Sequence, residues 1–354
     1  MIKENLYTEA IALLKKLIAA PSFSKEESAT ADIIVSFLYI HRIVFERIGN
    51  NVYAKNKYYD VSKPTILLNS HHDTVKPNPG YTLDPFLALE KEGKLFGLGS
   101  NDAGGCLVSL IAAFIHFYDR DDLNYNLILA ATAEEEISGV NGIESLLPLL
   151  GEISFAIVGE PTLMEMAIAE RGLMVIDCTA KGVSGHAASK EGDNAIYHAM
   201  ADIEKVSKHR FERISALLGE TQLTVTVIET GNKQHNVVPD QCTFIIDARV
   251  NELYRFDEIL AELNQVLSCE IKPRSTRLKS SLIPLEHPVV KAGIKIGKGY
   301  YGSPTTSDKA LMPFPALKMG PGDSARSHTA DEFIYLNEIE EGINTYVSLL
   351  NQLL

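Results

Sequence analysis

Apolar positions along the chain recur in two rhythms. Leu6, Leu13, Leu14 and Leu17 mark one face of an amphipathic helix, and residues 105–117 form another helix-like stretch. Ser24 and Glu27 stand at capping-box spacing and predict a second helix running to about Leu38. Between the helical stretches lie short continuous apolar runs at 65–68, 126–131 and 155–158. Such runs, alternating with helices, predict a mainly parallel sheet covered on both faces.

The middle of the chain has a different order. Residues 172–180 read as a strand, 194–207 as a helix, 222–229 as an alternating strand, 242–250 as a strand, 256–266 as a helix and 269–276 as a last strand. That β-α-β-β-α-β succession is the ferredoxin-like pattern. Helix–strand alternation then returns and closes on a helix over 336–350. The expected fold class is α/β: a mixed, mainly parallel sheet with helices on both faces, plus an inserted ferredoxin-like α+β domain. The expected boundaries are 1–172 and 284–354 for a discontinuous catalytic domain, and 173–283 for the insertion.

Composition narrows the partners. With 354 residues the chain is long enough for two domains, and a net charge of −13 disfavours nucleic acid or an anionic membrane. Cys106, Cys178, Cys242 and Cys269 are scattered, with no Cys-x-x-Cys pair, as in a reduced, cytoplasmic protein. The first apolar stretch, 10–20, is broken by Lys15 and Lys16 and so reads neither as a signal segment nor as a membrane span.

Candidate chemistry gathers where predicted strands end, the place where open α/β sheets bind ligands. The first run leads into Asn69-Ser70-His71-His72-Asp73, the second into Thr132-Ala133-Glu134-Glu135-Glu136, and the third into Gly159-Glu160-Pro161. Asp102 lies in a glycine-rich loop just before the 105–117 helix, and Gly320-Pro321-Gly322-Asp323-Ser324-Ala325-Arg326-Ser327-His328 adds a late histidine. Taken singly, these are ordinary loop features. Jointly, two histidines and several carboxylates after strand ends supply the nitrogen and oxygen donors that suit zinc, manganese or cobalt.

With these motifs in this order, the sequence resembles, over nearly its whole length, the dinuclear zinc metallopeptidase and deacylase family. That family includes acetylornithine deacetylase, succinyl-diaminopimelate desuccinylase, aminoacylase and carboxypeptidase G. The resemblance implies two Zn²⁺ ions, with Co²⁺ or Mn²⁺ as substitutes. It implies His71 and Glu160 on one ion, Glu136 and His328 on the other, and Asp102 bridging both, with the Asp102–Ala103 peptide bond cis. Asp73 would orient His71, His72 would be structural, and Glu135 would be the general base. Relatives commonly carry Met-Lys after the bridging aspartate, where this chain has Ala103 and Gly104.

The same resemblance implies that His186 stabilises the oxyanion across a homodimer formed through the inserted domain. It implies substrate contacts from Arg249, Asn236, Ser307 and Gly322. The stretch 315–324 looks closest to acyl-ornithine and acyl-lysine deacylases. The expected activity is therefore hydrolysis of an N-acyl amino acid, N-acetyl- or N-succinyl-ornithine, in arginine biosynthesis. The alternatives are succinyl-diaminopimelate desuccinylase, acyl-lysine deacylase, a small di- or carboxypeptidase, and a catalytically silent binding relative.

Overall fold

Six strands of one sheet lie side by side in the order Phe45–Ile48, Asn51–Lys55, Asn126–Thr132, Thr65–His71, Phe155–Val158 and Ala316–Lys318, in a computed structural model describing residues 5–354. Residues 1–4, the start of the expected outer segment, lie outside the described residues. Thr65–His71 runs parallel to both of its neighbours, and Ala316–Lys318 runs parallel to Phe155–Val158. The Phe45–Ile48 and Asn51–Lys55 hairpin joins the edge antiparallel, which makes the sheet mixed. Beyond Ala316–Lys318, Ala167 of the strand Met166–Glu170 pairs antiparallel with Lys318.

The central strands are unbroken apolar runs because both faces are covered. Leu67, Ile128, Ala130, Ala156 and Val158 pack with Ile143, Leu146 and Leu150 of the helix Ile143–Leu150. The opposite face meets the helix Gly105–Phe117, which is itself buried on nearly all sides. Each fully buried leucine or isoleucine contributes roughly 1.5–3 kcal/mol, so the strands are gripped from above and below. Polar residues take over only at the strand ends. There Asn69 Nδ2 donates to Thr132 Oγ1 (2.9 Å) and Ser70 Oγ donates to the Gly159 carbonyl (2.8 Å). These bonds tie together the three ends from which the candidate ligands depart.

The second helix is Ser28–Ile40, and the expected capping box does not form. Ser24 Oγ donates instead to Asp73 Oδ2 (2.7 Å). The fully buried Glu27 accepts from the backbone N–H of Glu134 (3.2 Å) and from Asn50 Nδ2 (2.8 Å). Long-range polar demand around the strand ends outcompetes the local cap.

The chain divides into two compact units: residues up to 168, 283–301 and 307–354 in one, and 169–282 with 302–306 in the other. The short segment 302–306, read from sequence with the outer segments, groups with the second unit. Arg171 accounts for this, since its N–H donates to the Ser303 carbonyl (3.3 Å) and its carbonyl accepts from Thr306 Oγ1 (3.0 Å). The second unit is a four-stranded antiparallel sheet ordered Gln222–Glu229, Gln241–Val250, Gly172–Lys181, Glu270–Pro273. Residues of Gly172–Lys181 and Gln241–Val250 alternate between buried and half-buried. Their buried set packs under Ala199, Val206, Ile259 and Leu263 of the helices Ala195–Lys208 and Phe256–Val266. This is the ferredoxin-like layer.

Candidate metal centre

His71 closes the strand Thr65–His71 and is 1 % exposed. Its Nδ1 donates to the backbone carbonyl of Asp73 (3.0 Å), which fixes the tautomer that leaves Nε2 as the lone-pair nitrogen. Nε2 lies 3.3 Å from Asp102 Oδ1, 3.6 Å from Glu160 Oε1 and 4.0 Å from Glu135 Oε2. The Asp73 carboxylate is the more distant neighbour of the ring, with Oδ1 at 3.5 Å from Nδ1. Its nearer partners are the N–H groups of Glu135 (3.1 Å) and Glu136 (3.2 Å) and the Ser24 hydroxyl. One carboxylate thus fixes the turn that presents both glutamates.

On the other side, His328 Nε2 lies 3.0 Å from Glu136 Oε2 and 3.7 Å from Asp102 Oδ2. Asp102 therefore turns one oxygen toward each histidine, and its peptide bond to Ala103 is cis. His72 faces elsewhere, with Nε2 donating to the Asn50 carbonyl (2.9 Å) and Nδ1 against Thr30 Oγ1 (2.8 Å). Burial lowers its pKa to about 4, so it stays neutral. Glu134 accepts from Asn141 Nδ2 (3.0 Å).

Charge in this cluster is unbalanced: Asp102, Glu135, Glu136 and Glu160 face two imidazoles. Burial opposes a charge on His71, but hydrogen bonds to Asp102 and Asp73 and the charges of Glu135 and Glu160 outweigh it and raise its pKa well above the usual value. His328 is pushed up to about 9, chiefly by its bond to Glu136. Asp102 is held below the usual carboxylate range, because the bond and charge of His71 overcome its burial. Burial, with Glu160, Asp308 and Glu136 nearby, pushes Glu135 well above it. Buried like charges of this kind call for cations.

The donors fit such cations. The ligand atoms of His71, Asp102 and Glu136 lie within 4.8 Å of one another, as do those of His71, Glu135 and Glu160. All are imidazole nitrogens or carboxylate oxygens, a set suited to borderline or hard divalent metals. The nearby thiol of Cys106 is committed elsewhere, donating to the Pro321 carbonyl (3.1 Å).

Ser307 and Gly322 belong to the same unit. Ser307 is buried and its Oγ accepts from the Lys309 N–H, capping a short turn. Gly322 has φ +90°, and a Cβ there would sit 2.5 Å from Asn101 Oδ1, so glycine is required by the backbone itself. The remaining expected residues lie in the second unit. Gly185–His186 pairs with Val237–Val238, and the Asn236 carbonyl accepts from the Ala187 N–H (2.9 Å), so His186 and Asn236 share one exposed ribbon. Arg249 grips Asp247 through Nε (2.7 Å) and Nη2 (3.1 Å).

Three further polar residues lie near these sites; the sequence gives Glu332 and Arg171 no role, and marks Asp308 only as part of the loop 306–308, which resembles a pocket-lining loop. Asp308 is buried against Thr132 Oγ1 (2.9 Å), and desolvation pushes it up to about 7. Glu332 is pushed up to about 8 by burial and the charge of Asp102, and it accepts backbone N–H groups from the Asp102 loop. Arg171, in the second unit, has its pKa lowered by burial and by the charge of Arg249, and its Nε has no hydrogen-bond partner among the described residues. In the sequence, only spacing from recognised motifs marks Glu332 and Arg171.

The chain is 27 % identical over 272 residues to succinyl-diaminopimelate desuccinylase of Rickettsia bellii (strain OSU 85-389), covering 72 % of this chain and 70 % of that protein. It is 29 % identical over 302 residues to the enzyme of the same name from Blochmanniella pennsylvanica (strain BPEN), covering 78 % and 77 %. In fold it resembles the aminopeptidase PepT from Bacillus cereus (TM-score 0.80, 18 % identity, 98 % of both chains). It also resembles the Bacillus subtilis YXEP protein, described as a dinuclear metal-binding peptidase (TM-score 0.77, 16 % identity, 98 % of both chains). Residues 67–352 match the profile of peptidase family M20/M25/M40, a span that contains every residue of the cluster; the chain belongs to that family and is a hydrolase of amide bonds.

Proposed function

We propose that this protein removes the acyl group from a small N-acyl amino acid, with N-succinyl-diaminopimelate as the leading substrate. The observation that carries the proposal is the convergence of His71, Asp102, Glu136, Glu160 and His328, with Glu135 beside them. Zinc is the proposed ion at both positions, with Co²⁺ or Mn²⁺ as substitutes. Divalent cations held there supply Lewis acidity and a water made acidic enough to ionise near neutral pH.

Glu135 is the proposed general base. Its raised pKa suits a group that must take a proton from the attacking water and return it to the departing amine. Asp73 holds the Glu135 and Glu136 N–H groups, so base and ligand keep their separation during proton transfer.

Substrate choice is a question of charge. Arg249 is paired with Asp247, but its charge reaches Arg171, whose Nε has no partner among the described residues, and it is Arg171 that favours a carboxylate-bearing ligand. A succinyl group adds a carboxylate that an acetyl group lacks, and the relatives named above are desuccinylases. The ornithine reading, and with it arginine biosynthesis, rests on the resemblance of residues 315–324 alone; the relatives favour lysine biosynthesis. Ser307 and Gly322 remain proposed substrate contacts of the first unit, and Asn236 of the second. The test is release of amine from succinyl-diaminopimelate, succinyl-ornithine, acetyl-ornithine and a dipeptide. The expected order places succinyl-diaminopimelate first, with Arg249→Ala and Arg171→Ala raising KM on it by about tenfold or more, the loss of a charge-assisted bond. Preference for acetyl-ornithine would return the assignment to ornithine.

A homodimer through the second unit, with His186 as an oxyanion donor to the partner's site, is part of the proposal. The exposed ribbon carrying His186 suits it. His186→Ala should lower kcat by about 10²–10³ with metal content unchanged. A monomer in sedimentation equilibrium at assay concentration would remove the role.

A further inference from the structure

Glu332 immediately precedes the strand Phe333–Tyr335, which pairs antiparallel with Lys94–Phe96. Its backbone carbonyl accepts from the Gly97 N–H (3.0 Å). Its carboxylate then turns back under the same loop: Oε1 accepts from the N–H of Asn101 (2.8 Å) and of Asp102 (2.9 Å), and Oε2 from that of Gly99 (3.2 Å). The side chain is buried, the residue being 2 % exposed, and no ion pair to it forms among the described residues, although its charge contributes to raising the pKa of His328. A buried carboxylate without a cation is costly unless its lone pairs are filled by donors, so the three N–H groups and the carboxylate depend on one another.

The rest of the loop is held by backbone bonds that leave the Asp102 N–H to Glu332: Leu98 N–H to the Pro85 carbonyl (2.8 Å), Ser100 N–H to the Gly97 carbonyl (3.1 Å) and Gly104 N–H to the Gly99 carbonyl (2.9 Å). Gly97 and Gly99 have φ of +148° and +74°, and a Cβ on Gly99 would lie 2.6 Å from Thr74 Cγ2. Asn101 extends the same device sideways. Its Oδ1 accepts from the Asp323 N–H (3.0 Å), and its Nδ2 donates to the Asp323 carbonyl (3.0 Å), in the loop that leads to His328.

We infer that Glu332 is a positioning residue for the metal centre, holding the backbone of Asp102 so that each of its carboxylate oxygens faces one histidine. The inference rests on the dinuclear reading proposed above. Glu332 touches no ligand side chain; it acts through the amide nitrogen of Asp102 and, by way of Asn101, on the segment carrying His328. Removing it frees the Asp102 peptide to rotate, and the two-sided presentation of Asp102 is lost before the fold is.

The test titrates Co²⁺ alone into chelator-stripped wild type, Glu332→Gln and Glu332→Ala. It reads stoichiometry, dissociation constant and the visible absorption of the bound ion, with the melting temperature of each stripped protein alongside. Wild type should take up two Co²⁺. Glu332→Ala should weaken uptake by about 10–100-fold, the usual cost of losing a group behind a ligand, with altered absorption. Glu332→Gln, which keeps an oxygen for Asn101 and Asp102 but none for Gly99, should fall between the two. If Glu332→Ala does not fold, the glutamine variant decides. Two Co²⁺ bound by the variants with wild-type affinity and absorption would overturn the inference, even with a lowered melting temperature, because Glu332 would then support only the fold. Fewer than two Co²⁺ on wild type would overturn the dinuclear reading, and this inference with it.

Discussion

Replacing Glu135 with glutamine should lower kcat by about 10²–10⁴ while leaving metal content at the wild-type level. The substitution keeps volume and hydrogen-bonding shape, and removes only the capacity to take a proton. Burial and three neighbouring carboxylates raise the affinity of Glu135 for a proton, and cations held by the cluster would offset this enough to leave the carboxylate ionised and able to accept one. KM should change little, since the side chain acts on the water and the leaving group. The same variant also tests the alternative role that the geometry permits. Glu135 Oε2 lies within 4.8 Å of donor atoms of His71 and Glu160, close enough to be a ligand instead. Loss of one metal equivalent in Glu135→Gln would make it a ligand, and turnover within tenfold of wild type with full metal content would remove it from the chemistry.

Asp102→Ala should have the larger effect on metal. Asp102 turns one oxygen toward each histidine, at 3.3 Å from His71 and 3.7 Å from His328. Its removal should weaken binding at both positions by more than about 100-fold, beyond the upper cost of losing an outer partner, and abolish turnover at ordinary metal concentration. The stripped protein should melt lower than stripped wild type, because the bonds and charges of His71 and His328 favour the ionised Asp102 in the folded chain and are lost with it. Relief of the charge that raises the pKa of Glu136 and of Glu332 offsets part of that loss. A variant that still retains two metals through dialysis against chelator would show that Asp102 bridges nothing.

Much of this architecture was legible in the sequence, for identifiable reasons. The helices Gly105–Phe117, Phe256–Val266 and Leu336–Leu350 have the bounds that apolar periodicity gives them, because burial decides those elements; the strand Gln222–Glu229 also has its expected bounds, although it is mostly exposed. The hairpin Phe45–Ile48 and Asn51–Lys55 was not legible. Its outer strand is only half-buried, so its side chains carry little of the apolar pattern. The candidate ligands stood out because each follows a strand end. Ser24 and Glu27 misled because a local capping pattern and a long-range hydrogen-bond site call for the same residue types. Glu332 and Arg171 were invisible for a third reason. Their partners are backbone groups or side chains tens to hundreds of positions away, which no local pattern encodes.

The strand Ala316–Lys318 lies within the main sheet beside Phe155–Val158, although the whole span 169–282 separates them along the chain. On the ribosome, the inserted module is nearly contiguous and can complete its own hydrophobic layer as soon as it clears the exit tunnel. The module around it must wait, half-built, with the flank of Phe155–Val158 unpaired until more than 150 further residues have been synthesised. His328 emerges later still, so the nascent protein passes through most of its synthesis with an acidic pocket that lacks one of its two imidazoles.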